Sequence, residues 1–136
     1  MVADTLLGRK DTPDVYARRY GDEYHGNGTR WELWPVAARD YGLKMTDLGT
    51  DLGKASDIIK AGGLVIISVD TKGVFSDGGH FMVIRAIDEQ GNFYLADPNY
   101  LGNKAEGVDS NNTGYSAEFL RDPNKGNMIH LWGWQK

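Results

Sequence analysis

The segment LVIISVD, residues 64–70, limits the fold of this chain more than any other stretch. It is β-branched and apolar on both faces, the pattern of a strand buried inside a sheet, and Gly62-Gly63 separates it from what precedes. Two further runs follow, HFMVIRAID (80–88) and NFYLADP (92–98), joined through EQGN, so a β-hairpin is predicted next to it. NMIHLWGWQ (127–135) supplies a final strand. The segments ahead of residue 64 read mostly as helices. Helices first and strands afterwards give an α+β domain with a largely antiparallel sheet.

MVADTLLG places apolar residues at 1, 2, 3, 6 and 7 with Gly8 as a helix stop. No N-cap precedes it, and so short a helix does not hold on its own. It reads as the back half of a longer helix, the alternative being a short helix docked on the core. In DTPDVYARRYG, Thr12 is a good N-cap, Pro13 suits the first helical position and Asp14 favours the positive end, giving a helix that ends near Gly21. The capping box Thr29-x-x-Glu32 opens a further helix reaching about Tyr41, which Pro35 should kink or restart. KMTDLG (44–49) is extended, Asp51 caps a helix through Lys60-Ala61, and YSAEFL is a helical turn. Glycine is abundant, 18 of 136 residues, so irregular connections are expected, above all after residue 98.

The length, 136 residues, suits one domain with a real core. A net charge of −4 argues against nucleic acid as a partner, since phosphate binding needs clustered Lys and Arg. The nearest basic pair, Arg18-Arg19, has acidic neighbours and reads as a solvated face. The longest uninterrupted apolar stretch is Leu64 to Ile67, far short of a membrane span, and the opening residues do not read as a signal peptide. The complete absence of cysteine removes disulfides, thiolate metal sites and any thiol nucleophile from these residues.

Against that background, GGHFMVIRAIDEQGNFYLADPN sets a histidine at the foot of one strand and an aspartate at the end of the next. A turn at Gln90-Gly91 would pair Ile84 with Asp97, and alternation then puts Asp97 on the face of Ile84, Met82 and His80. Four residues of extended chain, about 13 Å, would still separate His80 from that level. Strong twist, or a bulge near His80, is required to close the gap. Gly78-Gly79 clears space before the imidazole for a backbone or a substrate. A carboxylate on one ring nitrogen would fix the tautomer and leave the other nitrogen free to exchange protons. The alternative is a core histidine bonded to a carbonyl, with Asp97-Pro98-Asn99 turning the chain.

Competing motifs are weaker. His25 lies in a Gly/Asn loop and His130 alternates within a strand, so the three histidines have no metal-ligand spacing and no metal or cofactor is expected. DSNNTG (109–114) begins like a calcium loop, but its twelfth position is Leu120, and turn chemistry explains it better. GNG before Thr29 could meet an anion at a helix start, but reads as a cap. Of Trp31, Trp34, Trp132 and Trp134, two are expected in the core.

GLKMTDLG, DLGKASDIIKAGGLVIISVD and GHFMVIRAIDEQGNFYLADPN together resemble the C39-like group of papain-like cysteine peptidases, over roughly residues 1 to 100. The resemblance implies the papain-like fold and peptide-bond hydrolysis. It assigns the general base to His80 and the carboxylate that orients it to Asp97. It also implies a nucleophilic cysteine at a helix N-terminus, where the helix field stabilises a thiolate, and an oxyanion-hole glutamine further upstream. Neither is found here, and MVADTLLG looks like the continuation of the nucleophile helix. Ser56, Ser68, Ser76, Ser110 and Ser116 do not sit where a substitute nucleophile would be aimed at His80.

The reading that follows is a single C39-like domain over 1–136, incomplete at its N-terminus, that carries the His–Asp half of a site and is inactive alone. The alternative is a peptide-binding domain of the same fold without catalysis, and a third reading is a structural α+β domain with His80 far from Asp97. A peptide or protein is the expected partner, with self-association through the exposed N-terminal face. The expected setting of a complete parent is a bacterial extracellular or cell-wall-associated protein.

Overall fold

The computed structural model describes residues 2–7, 31, 33–76 and 78–136. Five strands form one sheet: β1 (Lys44–Gly49), β2 (Leu64–Val69), β3 (His80–Ile87), β4 (Phe93–Ala96) and β5 (Met128–Gln135). Their order across the sheet is β1-β5-β2-β3-β4, and every neighbouring pair is antiparallel. The described helices are α1 (Val2–Leu7), α2 (Leu33–Asp40), α3 (Leu52–Lys60), α4 (Tyr100–Ala105) and α5 (Ala117–Arg121). The fold is α+β, as the order of the segments predicts. Among the described residues, no helix is long and apolar enough to cross a membrane.

Strand β2 lies where its two-faced apolarity requires, between β5 and β3. Val65, Ile67 and Val69 point to one side and meet Met82, Ile84, Phe93, Leu95 and Leu131. Helix α3 covers this side through Leu52, Ala55 and Ile58. Ile66 points to the other side, where Trp132 and Trp134 meet Val2 and Leu6 of α1 and Leu33 and Ala38 of α2. Each fully buried Leu, Ile, Val, Phe or Met contributes about 1.5–3 kcal/mol relative to exposure, so both faces hold the sheet. Asp51 caps α3 as expected, its Oδ1 accepting from the Lys54 backbone N–H at 3.0 Å.

Three details depart from the sequence reading. Pro35 falls in the first turn of α2 and not in its interior, at a position where a backbone N–H has no intrahelical acceptor, so it costs the helix no hydrogen bond. The segment after residue 98, expected to be irregular, contains α4. The hairpin register is also shifted. Its loop has three residues, 89–91, closed by Asp88 N–H donating to the Asn92 carbonyl at 3.0 Å, with Gly91 at φ +83°. Left-handed backbone of that kind is natural for glycine. A bulge at Arg85, far from His80, then leaves Ile84 opposite Leu95 instead of Asp97. The helix predicted for residues 12–21, the Thr29–Glu32 capping box and the GNG motif lie outside the described residues.

Candidate active site

The register shift is what brings the two candidate residues together. The three-residue loop moves the pairing by one position and the Arg85 bulge by another, so Asp97 sits close to the level of Met82. His80, the first residue of β3, reaches it diagonally: Nε2 is 2.6 Å from Asp97 Oδ1. Gly79, at φ +84°, turns the backbone into the strand immediately before the imidazole. The His80 side chain keeps 19% of its surface exposed, while that of Asp97 has none. The reading that needed these two residues far apart is not met.

Asp97 is held from four directions. Oδ1 also accepts from the Asn99 backbone N–H at 2.8 Å, and Oδ2 accepts from Asn103 Nδ2 at 2.6 Å and Ser110 Oγ at 2.7 Å. Its own N–H donates to Asn111 Oδ1 at 2.7 Å. Burial pushes the Asp97 carboxyl up, but the donors His80, Ser110, Asn103 and Asn99 together outweigh it and hold the group below the usual carboxylate range. Asp97 is therefore ionised at neutral pH and can only accept. His80 Nε2 must then carry the proton of this bond, which makes Nδ1 the lone-pair nitrogen of the neutral ring. An imidazole so fixed can take a proton at Nδ1, and the buried carboxylate stabilises the resulting imidazolium.

Sequence reasoning missed Asn103, Ser110 and Asn111. The DSNNTG loop is turn chemistry, as read: Asn112 Nδ2 donates to Asp109 Oδ1 at 3.0 Å and Thr113 Oγ1 to the Asp109 carbonyl at 2.8 Å. That turn also delivers Ser110, fully buried, and Asn111 to the aspartate. Arg85 secures it, donating from Nε to the Leu95 carbonyl at 3.1 Å and from Nη2 to the Asn111 carbonyl at 2.8 Å. The one signal available was a cluster of short polar side chains after ADPN, which gives no hint of their partner.

The remaining candidates are dispersed. Ser76 Oγ bonds the Gly79 carbonyl at 3.0 Å, and Ser116 caps α5 by accepting from Phe119 N–H at 3.1 Å. Ser68 is buried within β2 and Ser56 lies in α3. His130 forms a second imidazole–carboxylate pair, its Nε2 lying 2.6 Å from Asp47 Oδ1. Trp31 and Trp132 flank that imidazole at ring-centroid distances of 4.8 and 4.5 Å. Asp47 keeps 62% of its side chain exposed, so the carboxylate of this pair lacks the enclosure of Asp97. Trp132 and Trp134 are the two core tryptophans, Trp34 is half-buried and Trp31 exposed. His25 lies outside the described residues.

Searches of curated proteins and of solved structures give no match. A family model does match: Peptidase_C39 like, over residues 4–123. The match passes well beyond Asn99, where the resemblance read from the sequence fades, and takes in the segment that supplies Asn103, Ser110 and Asn111 to the aspartate. Helices with a five-stranded antiparallel sheet are consistent with the papain-like architecture of that group. Since the matched region covers most of the chain, the chain belongs to the Peptidase_C39 like family.

Proposed function

We propose that the domain supplies the base half of a cysteine-peptidase site, with His80 as the general base and Asp97 as the residue that orients it. The observation that carries this is the 2.6 Å bond from His80 Nε2 to an enclosed, ionised Asp97, which directs the ring's lone pair to Nδ1. In the complete reaction a thiol attacks the peptide carbonyl while its proton passes to Nδ1. The same proton returns to the leaving amine as the acyl-enzyme forms, and water then releases the acyl group. None of the 136 residues is a cysteine, and this reaction also needs a thiol and an oxyanion-hole donor beside His80. The 136 residues alone do not hydrolyse peptides by this route. The setting that family resemblance supports for the parent is a bacterial extracellular or cell-wall location, which fractionation of the source cells would check.

The test is peptide hydrolysis by the chain produced with the coding sequence that precedes Met1 in its gene. The expected result is activity abolished by thiol alkylation and lowered about 10²–10⁴-fold by His80→Ala. A parent without cysteine, or one whose hydrolysis ignores His80→Ala, overturns the reading. The absence of cysteine favours one alternative, a peptide-binding domain without catalysis, and in that case the parent binds peptides and leaves them intact.

A further inference from the structure

A cavity of about 380 Å³ lies between the loop that leads into β3 and helix α4. Val74, Phe75 and Ser76 line one side, and Asn99, Asn103 and Glu106 the other. Both walls belong to the His80–Asp97 arrangement. Asn103 donates to Asp97 Oδ2 at 2.6 Å, and Ser76 Oγ bonds the carbonyl of Gly79, the residue before His80, at 3.0 Å. The volume is at the lower end of small-molecule sites, about 300–1,000 Å³, which suits one long side chain better than a folded segment.

The lining selects the chemistry of that side chain. Val74 and Val108, both half-buried, offer an apolar surface for a methylene stem. Glu106 is the one ionisable group among the described lining residues. The Asn99 side chain makes no capping hydrogen bond to α4, leaving an amide oxygen for a donor. The basic residue nearest along the helix, Lys104, holds its ammonium over the Tyr100 ring at 5.5 Å and is not part of the lining. A carboxylate-bearing guest would meet like charge at Glu106, whereas a guanidinium or ammonium would meet a counter-ion and an amide acceptor.

We propose that this cavity is a specificity subsite for a basic side chain, Arg or Lys, of a bound peptide, with Glu106 as its counter-ion. The inference rests on the reading of the domain as one that handles peptides. Bound there, the guest lies against the two segments that carry His80 and Asp97.

The experiment is an NMR titration of the 136-residue protein with blocked alanine pentapeptides whose central residue is arginine, norleucine or glutamate. The arginine peptide is expected to shift the amides of Ser76, Asn99, Asn103 and Glu106, and to bind about three- to tenfold more tightly than the norleucine peptide. Glu106→Gln, at an exposed position, is expected to bring the two within about twofold of each other. Equal binding of all three peptides overturns the subsite while leaving peptide binding intact. So does a preference for arginine that survives Glu106→Gln, or shifts confined to other parts of the molecule. No binding of any peptide at millimolar concentration overturns both the subsite and the peptide-handling reading.

Discussion

Asp97 gathers donors from three separate stretches of chain: His80 from β3, Asn103 from α4 and Ser110 from the loop after it. A buried carboxylate with so many donors is stable only as the anion, and losing the charge leaves those donors without their acceptor. Asp97→Asn is expected to lower the unfolding free energy by about 2–4 kcal/mol at pH 7, and Ser110→Ala by about 1–2 kcal/mol. The pH dependence has a fixed sign. The folded-state pKa of Asp97 lies below its unfolded value of about 3.9, so its contribution is complete above that value and lost as pH falls through the folded one. Urea unfolding from neutral to strongly acidic pH should show the gap between Asp97→Asn and the parent protein closing at the acid end. A gap that stays constant would mean that the charge of Asp97 contributes nothing. His80 and Asp97 were legible in the sequence because GGH and ADP mark the ends of recognisable strands. Asn103 and Ser110 were not, because their relation to Asp97 exists only once a long loop has closed.

At the level of elements, the hairpin was legible and its register was not. EQGN announces a turn, but two- and three-residue closures differ by one position of pairing, and the choice rests on Asp88. Its carboxylate accepts from the Gln90 and Asn92 N–H groups at 2.9 Å each, which favours the longer loop with Gly91 left-handed. The Arg85 bulge has no sequence signature either. Its reason is visible in three dimensions: the arginine crosses β4 to hold the Leu95 and Asn111 carbonyls and lies 6.0 Å from the Tyr94 ring centre. Arg85→Ala is therefore expected to loosen the 109–114 loop with only a small global loss, about 1 kcal/mol. Hydrogen exchange separates the two effects, because the Asp97 amide, bonded to Asn111 Oδ1, should lose protection far more than amides within β2. Equal loss at both places would make Arg85 a contributor to overall stability and not the support of this loop. Helix α4 was overlooked for a related reason. YLGNKA carries Gly102 and Asn103, both weak helix formers, and is held by the site that it serves.

For the whole molecule, the position of β5 decides most. The last strand in the sequence lies between β1 and β2, so the sheet is joined across its middle by contacts between distant parts of the chain. NMIHLWGWQ reads as a strand from its own pattern, but a strand's pattern carries no information about which strands flank it. Gly133 marks how closely that strand is covered. A Cβ there would lie 2.2 Å from Ile58 Cδ1 of α3 and 3.3 Å from Leu48 Cδ1, so a methyl group would force the end of the Ile58 side chain to move. Gly133→Ala should then cost about 1–3 kcal/mol through overpacking, and Ile58→Ala about 2–5 kcal/mol through the cavity it leaves. Each change relieves the defect of the other, since the new methyl occupies part of the space that the isoleucine vacates. The double variant, measured by urea unfolding, should accordingly be more stable than the sum of the two single losses predicts, by about 0.5–3 kcal/mol of coupling. Strict additivity would mean that α3 can shift along the sheet, and the central strand would then not be what fixes the helix over the face that carries His80 and Asp97.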